Sequence, residues 1–169
     1  STYAGTGFFK RQEILDLENL LRFLGNPKDS HSLLGVLRSP LFGIADDIIH
    51  EIGQKPDCKT DLWQAIESAC QSENRHKYER LPRAVRMLRR MIQDSLHMPI
   101  GDLLASIIRQ TGYDLILLAS SQNANGLQKS RNLWKLVSLA KEQEELSCLE
   151  FAERLSLMRE FSQRESDTP

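Results

Sequence analysis

Cysteine is scarce in this chain. There are three in 169 residues, Cys58, Cys70 and Cys148, odd in number and widely spaced. That excludes a disulfide framework and, with no clustered histidines, a zinc pattern; it suits a reducing, cytoplasmic setting. There is no run of eighteen apolar residues and no basic leader followed by an apolar segment, so neither a membrane span nor a secretory signal is expected. Excess charge is lacking too: 22 Lys and Arg against 23 Asp and Glu leave a net charge of −1, which removes any global electrostatic argument for a polyanion. The catalytic signatures are missing. The sequence contains no GxxxxGK[ST] phosphate loop, no HExxH and no nucleophile elbow. His31, His50, His76 and His97 stand singly, and the adjacent pairs Asp46-Asp47 and Glu144-Glu145 diverge around a helix. No catalytic, cofactor-binding or metal-binding residue is therefore assigned to this chain.

What is present is helical periodicity, nearly uninterrupted. The first stretch, Gly7-Phe8-Phe9-Lys10-Arg11-Gln12-Glu13-Ile14, turns from a short lead-in into a helix. Ile14, Leu17, Leu21 and Leu24 form its stripe, while Leu15 and Phe23 point elsewhere, so this helix should be a hub touched on several sides. Gly25-Asn26-Pro27 stops it. Asp29 or Ser30 caps a short helix with Leu33, Leu34, Val36 and Leu37, ended by Ser39-Pro40. Another short helix carries Ile48, Ile49 and Ile52, and one capped by Thr60 carries Leu62, Trp63, Ile66 and Ala69.

The clearest pattern spans Tyr78 to Ser95, with Leu81, Val85, Leu88 and Ile92 on one face, Arg83, Arg86 and Arg90 on the other, and Pro82 in the first turn. A helix from Pro99 to Thr111-Gly112 follows. The apolar run Tyr113–Leu118 is too short for periodicity to choose between helix and strand. Beyond a loop at Ser120–Gly126, a long helix at about Leu127–Glu145 should turn Leu133, Leu136, Val137 and Ala140 inward and Lys129, Lys135 and Lys141 outward. Ser147 and Glu150 make a capping box before a last helix with Phe151, Leu155 and Met158. The expectation is one all-α, irregular multi-helix domain of seven to nine helices. The missing initial methionine and the polar stretch Ser162 to Pro169 suggest a piece of a larger protein with a frayed tail.

Two local features could carry binding. Between Glu73 and Arg90 lie Arg75, Lys77, Arg80, Arg83, Arg86, Arg89 and Arg90, opposed only by Glu73 and Glu79. Such a one-sided ridge suits a phosphate backbone, and equally a solvated face. In Ser39-Pro40-Leu41-Phe42-Gly43-Ile44-Ala45-Asp46 the glycine permits close approach or positive φ, and the start of the next helix offers free N–H groups. Asp46 and Asp47 oppose a phosphate there, and a structural turn explains the same residues.

The motifs taken in order resemble a known family. The FFKRQEI entry (8–14), the helix ending in Asn26-Pro27-Lys28-Asp29, the Ser39-Pro40-Leu41-Phe42-Gly43 turn, Thr111-Gly112-Tyr113, and Arg131-Asn132-Leu133-Trp134-Lys135-Leu136 resemble the accessory subdomain, called 2B, of UvrD/Rep-like superfamily 1 DNA helicases. The wording is nearest to AddA/RecB-like helicase–nuclease subunits. The resemblance implies a helical domain inserted in the second RecA-like motor domain of an ATP-dependent DNA helicase, with residues 1–13 as the junction, 14–161 as the subdomain and 162–169 as the tail. It implies ATP and Mg²⁺ in the motor domains, none of whose motifs is in this chain. The partners it implies are forked or double-stranded DNA, those motor domains and a second helicase–nuclease subunit. In some members it also implies a nuclease activity.

Arg80, Arg83, Arg86 and Arg90, with Phe42, Gly43 and Ile44, become the candidate DNA contacts. In the UvrD branch the equivalent turn reads GIG, whereas Ala45 stands third here. Phe8, Phe9, Arg11 and Glu13 become the junction, with Arg11 and Glu13 as an anchoring charge pair. A protein-interaction or hinge module without DNA contact is the alternative.

Overall fold

The computed structural model describes residues 5, 7–54, 61–72, 76–120 and 125–168. Among them the chain is all-helical. A 3₁₀ turn, Phe8–Lys10, leads into α1 (Gln12–Gly25), α2 (Ser30–Arg38), α3 (Asp46–Gly53), α4 (Leu62–Gln71), α5 (Leu81–Ser95), α6 (Ile100–Thr111), α7 (Tyr113–Ser120), α8 (Asn125–Lys141) and α9 (Cys148–Ser166). No strand occurs among the described residues. The expected Thr60 cap and Pro56, Cys58, Glu73 and Arg75 lie outside the described residues.

The hub expectation holds. Helix α1 packs against α2, α5, α8, α9 and the 3₁₀ turn. Ile14, Leu17, Leu20, Leu21 and Phe23 are completely buried, so its apolar surface wraps well beyond one stripe. Around it, α7 and α8 form a hairpin with α6 laid on α8, while α4 bridges α2, α3 and α5. The edge of Trp63 on α4 meets Phe23 of α1 with ring centroids 5.2 Å apart.

Local chemistry sets most boundaries. The Asp29 side chain caps α2 by accepting from the Ser32 N–H, and Ser147 caps α9 by accepting from the Glu150 N–H. Gly112, at φ 65°, ends α6 and lets α7 begin at once, which decides the Tyr113 run as helix.

Several expectations are corrected. The cap of α4 is Asp61, which accepts from the Gln64 N–H; next to Thr60 either residue type satisfies the same preference. Helix α5 begins at Leu81, with Tyr78 buried before it, and α8 begins at Asn125. Lys135 does not point freely outward: its ammonium lies 5.0 Å from the centroid of Phe8. Met158 is exposed, because Arg159 takes the inward position beside it. Helix α9 continues through Ser166, past the boundary expected at 161.

Candidate nucleic-acid interface

The sequence signals at Gly43 and along α5 prove to be spatial neighbours. Gly43 has φ 58°, the left-handed region where a side chain is strained, and the space a Cβ would take is 3.1 Å from a guanidinium nitrogen of Arg80. Arg80 is the N-cap residue of α5. The turn and the ridge therefore meet, at an open groove of about 340 Å³ whose lining includes Gly43, Ala45, Ile48, Lys77, Arg80 and Leu81. Pro82 fixes the first turn of α5 there, where its missing N–H costs nothing.

From that point Arg83, Arg86 and Arg90 run along the exposed side of α5, while Leu81, Ala84, Val85, Leu88 and Met91 are buried on the other. Among the described residues none of Arg80, Arg83, Arg86 and Arg90 makes an ion pair. The neighbouring cations do: Arg89 with Glu67 at 2.8 Å, Lys77 with Glu51 at 2.6 Å and Arg38 with Asp46 at 2.6 Å. Asp46, expected to repel a phosphate, is thus already matched by Arg38. Arg86 and Arg89 also flank Cys70 on α4, whose thiol burial pushes up against the opposing pull of both cations.

The amides of Phe42, Gly43 and Ile44 are all engaged, while the start of α3, capped by Ala45, has no side-chain cap. Phe42 and Gly43 N–H both donate to the Ser39 carbonyl, at 3.2 and 2.8 Å, and Ile44 N–H donates to the Leu37 carbonyl at 2.8 Å. Ile44 is buried and Phe42 half-buried against the core. Of the three turn residues only Gly43 is fully exposed, and the charged side chains at this groove are Arg80, the Glu79 carboxylate beside it and Lys77, which is paired with Glu51.

Three of the four junction residues, Phe8, Phe9 and Glu13, face inward. Phe8 and Phe9 are buried edge to face, centroids 5.1 Å apart, and belong to the core of this chain. Glu13 is buried, and among the described residues its partner is not Arg11 but Asn132, which donates from Nδ2 at 2.8 Å. Arg11 is exposed. The expected Arg11–Glu13 pair is replaced because α8 brings a neutral donor to a carboxylate that has left water, avoiding the desolvation of a second charge.

Sequence reasoning missed the buried carboxylates that follow. Asp16 and Glu18 are each 3% exposed. Asp16 accepts from the Tyr113 hydroxyl at 2.7 Å and from Gln12 Nε2 at 2.8 Å. Burial raises its pKa, the two hydrogen bonds pull it back, and Glu13 nearby adds to the rise. Glu18 accepts from both terminal nitrogens of Arg159 at 2.6 and 3.2 Å, and from Arg22 at 3.1 Å. One Arg159 nitrogen also reaches the Phe9 carbonyl at 3.4 Å, so the lead-in and α9 lie side by side. Tyr113 and Asn132 belong to the TGY and RNLWKL motifs; what those motifs do is satisfy carboxylates on α1. The signal was available: α1 has carboxylates inside its apolar surface and almost no polar face of its own.

The sequence has no phosphate loop, and among the described residues no three His, Cys, Asp or Glu side chains converge on a metal position. Among them too, no helix is long and apolar enough to cross a membrane.

Comparison with known proteins gives a consistent answer. The family model for the UvrD-like helicase C-terminal domain matches residues 1–167. The A subunit of the ATP-dependent helicase/nuclease of Thermoanaerobacter sp. (strain X514) is 31% identical over 143 residues, 85% of this chain and 11% of that protein. Its counterpart in Acetivibrio thermocellus is 32% identical over 143 residues, again 85% of this chain and 11% of the relative. DNA helicase II of Escherichia coli (strain K12) is 26% identical over 143 residues, 83% of this chain and 20% of the relative. The chain thus spans a small fraction of the length of the proteins it matches.

Proposed function

We propose a function from one premise: the chain belongs to the UvrD-like helicase C-terminal domain family. Its role is that of a 2B-like accessory subdomain, inserted in the second RecA-like motor domain of an ATP-dependent DNA helicase or helicase–nuclease of a DNA repair or recombination system. The motor domains bind and hydrolyse ATP with Mg²⁺; this chain contributes no residue to that chemistry. It holds duplex DNA at the fork, and residues 7–13 and α9 connect it to the motor.

The observation that carries the DNA reading is the join between Arg80 and the Gly43 turn. It prolongs the Arg83, Arg86 and Arg90 row into one strip of four cations with no ion pair among the described residues. Charge with no partner among the described residues, beside cations that are matched, supports accommodation of an external anion. The long basic side chains of the strip suit phosphates rather than base edges, so its contacts are backbone contacts, independent of sequence. The side-by-side placement of the lead-in and α9 supports the insertion, since a host domain can then continue across a narrow gap.

The test is duplex binding by the full-length polypeptide against salt concentration. Replacing Arg83, Arg86 and Arg90 by Ala should flatten the slope of log affinity on log salt by about 0.9 for each phosphate no longer neutralised, roughly 2 to 3 in all. An unchanged slope leaves the ridge as a solvated or protein-binding face and refutes the DNA reading.

A further inference from the structure

Helix α8 carries Lys129, Arg131, Lys135 and Lys141 and no carboxylate in its seventeen residues. Arg131 and Lys135 stand four residues apart, like charges that oppose the helix they sit on. Lys135 leans over the Phe8 ring, and beside it a cleft of about 170 Å³ opens between α8 and the lead-in. Phe8, Arg11, Gln128, Asn132 and Lys135 are among its lining residues. Arg11 and Arg131 are exposed, and among the described residues neither makes an ion pair. Glu13 sits behind Asn132, buried and engaged by its Nδ2–H at 2.8 Å, so the exposed charge at the cleft is positive. On the other flank of Arg131, by helical spacing, lies Trp134. The indole is half-buried and its Nε1–H donates to Asp114 Oδ2 at 3.2 Å. The exposed Arg109 guanidinium lies 5.6 Å from the ring centroid. Cations thus run across α8 from Arg11 to Arg109, with an indole among them.

We propose that this surface holds a single strand of DNA, with phosphates at Arg11, Lys135 and Arg131 and a base against the Arg109–Trp134 pair. The proposal rests on the functional reading above. Composition selects the single strand. A duplex keeps its base faces stacked inside, whereas a single strand offers them. An indole with a guanidinium over it is a surface on which bases stack. Helix α5, assigned above to the duplex, has arginines outward and no aromatic residue. The like charges of Arg131 and Lys135, costly to the helix alone, are relieved by a ligand that carries a negative charge at every unit. Position agrees. The cleft lies at the lead-in, through which the chain joins the motor, and strand separation leaves single strands on the motor side of a fork.

The test titrates the full-length polypeptide with a long oligothymidylate and with a blunt duplex over a range of salt. Arg11→Ala with Arg131→Ala should flatten the single-strand slope of log affinity on log salt by about 0.7 for each phosphate released, roughly 1.4 in all. The duplex slope should stay as it is. Arg131→Lys, with Arg11 intact, keeps the charge and should leave both slopes unchanged. A single-strand slope that survives the double substitution overturns the proposal. Equal flattening of both slopes also overturns it, because the surface then lies under the duplex. Polyglutamate binding lost in the double variant, with the single-strand slope kept, assigns the surface to an acidic protein and overturns it. DNA-stimulated ATP hydrolysis by the same preparation reports the motor independently. Its absence refutes the functional reading and the proposal with it. Its presence beside a surviving single-strand slope refutes this surface and leaves the functional reading intact.

Discussion

Replacing Tyr113 by Phe isolates one bond of the buried network with almost no change in volume. The hydroxyl donates to Asp16 Oδ2 at 2.7 Å, and Asp16 is 3% exposed. A hydrogen bond to a charged group contributes about 1.5–3 kcal/mol, and Gln12 remains as a second donor, so a loss of about 2 kcal/mol is expected at neutral pH. The loss should depend on pH, with a definite sign. The folded-state pKa of Asp16 lies above its ordinary value, through burial first, opposed by Gln12 and Tyr113. The native state therefore binds this proton more tightly than the unfolded chain does. The contribution of Asp16 is most favourable below the unfolded pKa and declines as pH rises through the folded one. Removing Tyr113's donor raises the folded pKa further and extends that decline to higher pH. The difference between the two proteins should be about 1 kcal/mol in acid, where a neutral hydrogen bond is lost, and grow to about 2 kcal/mol above the folded pKa. Urea midpoints at several pH values, with unchanged m, measure it. A difference independent of pH would show that Asp16 does not carry the charge assigned to it here.

Arg159→Met should cost about 2 kcal/mol, less than breaking a fully buried pair because Arg159 is 22% exposed and Arg22 still reaches Glu18; faster amide exchange confined to α9 and the 3₁₀ turn is its signature. Gly43→Ala places a side chain at φ 58° and should lower stability by about 1 kcal/mol, with duplex affinity falling as Arg80 is displaced. Ser147→Ala removes the acceptor for the Glu150 N–H at 3.2 Å and should lower stability by about 1 kcal/mol, while Ser147→Asp should not.

What could be read from the sequence was local. The division of α5 into a leucine face and an arginine face follows from the 3.6-residue period alone, and the caps at Asp29 and Ser147 follow from residue type. The Tyr113–Leu118 run could not be decided by its own six residues; Gly112 decided it. The partners of the buried carboxylates were illegible for a different reason. Glu13, Asp16 and Glu18 find their partners 119, 97 and 141 residues away, and single-sequence periodicity assigns any charged helix residue to solvent by default. The meeting of Arg80 with Gly43 is likewise tertiary, since an α3–α4 excursion separates them along the chain. The motif resemblance carried that distant information without explaining it.

The geometry of α1 also bears on how an accessory domain could be steered. The 3₁₀ turn leads directly into α1, α9 is clasped to it through Glu18 and Arg159, and α5, the arginine helix, packs on it. Displacing α5 relative to α1 would open the face the two helices share within one buried core. Opening it returns large apolar side chains to water at about 1.5–3 kcal/mol each. Under the proposed insertion, the motion that leaves this core intact is rotation of the whole helical body about its connections to the motor. The arginine strip then moves as one piece with its spacing intact. A variant that loosens the clasp should change how the domain is held to its neighbour before it changes how tightly the strip grips DNA.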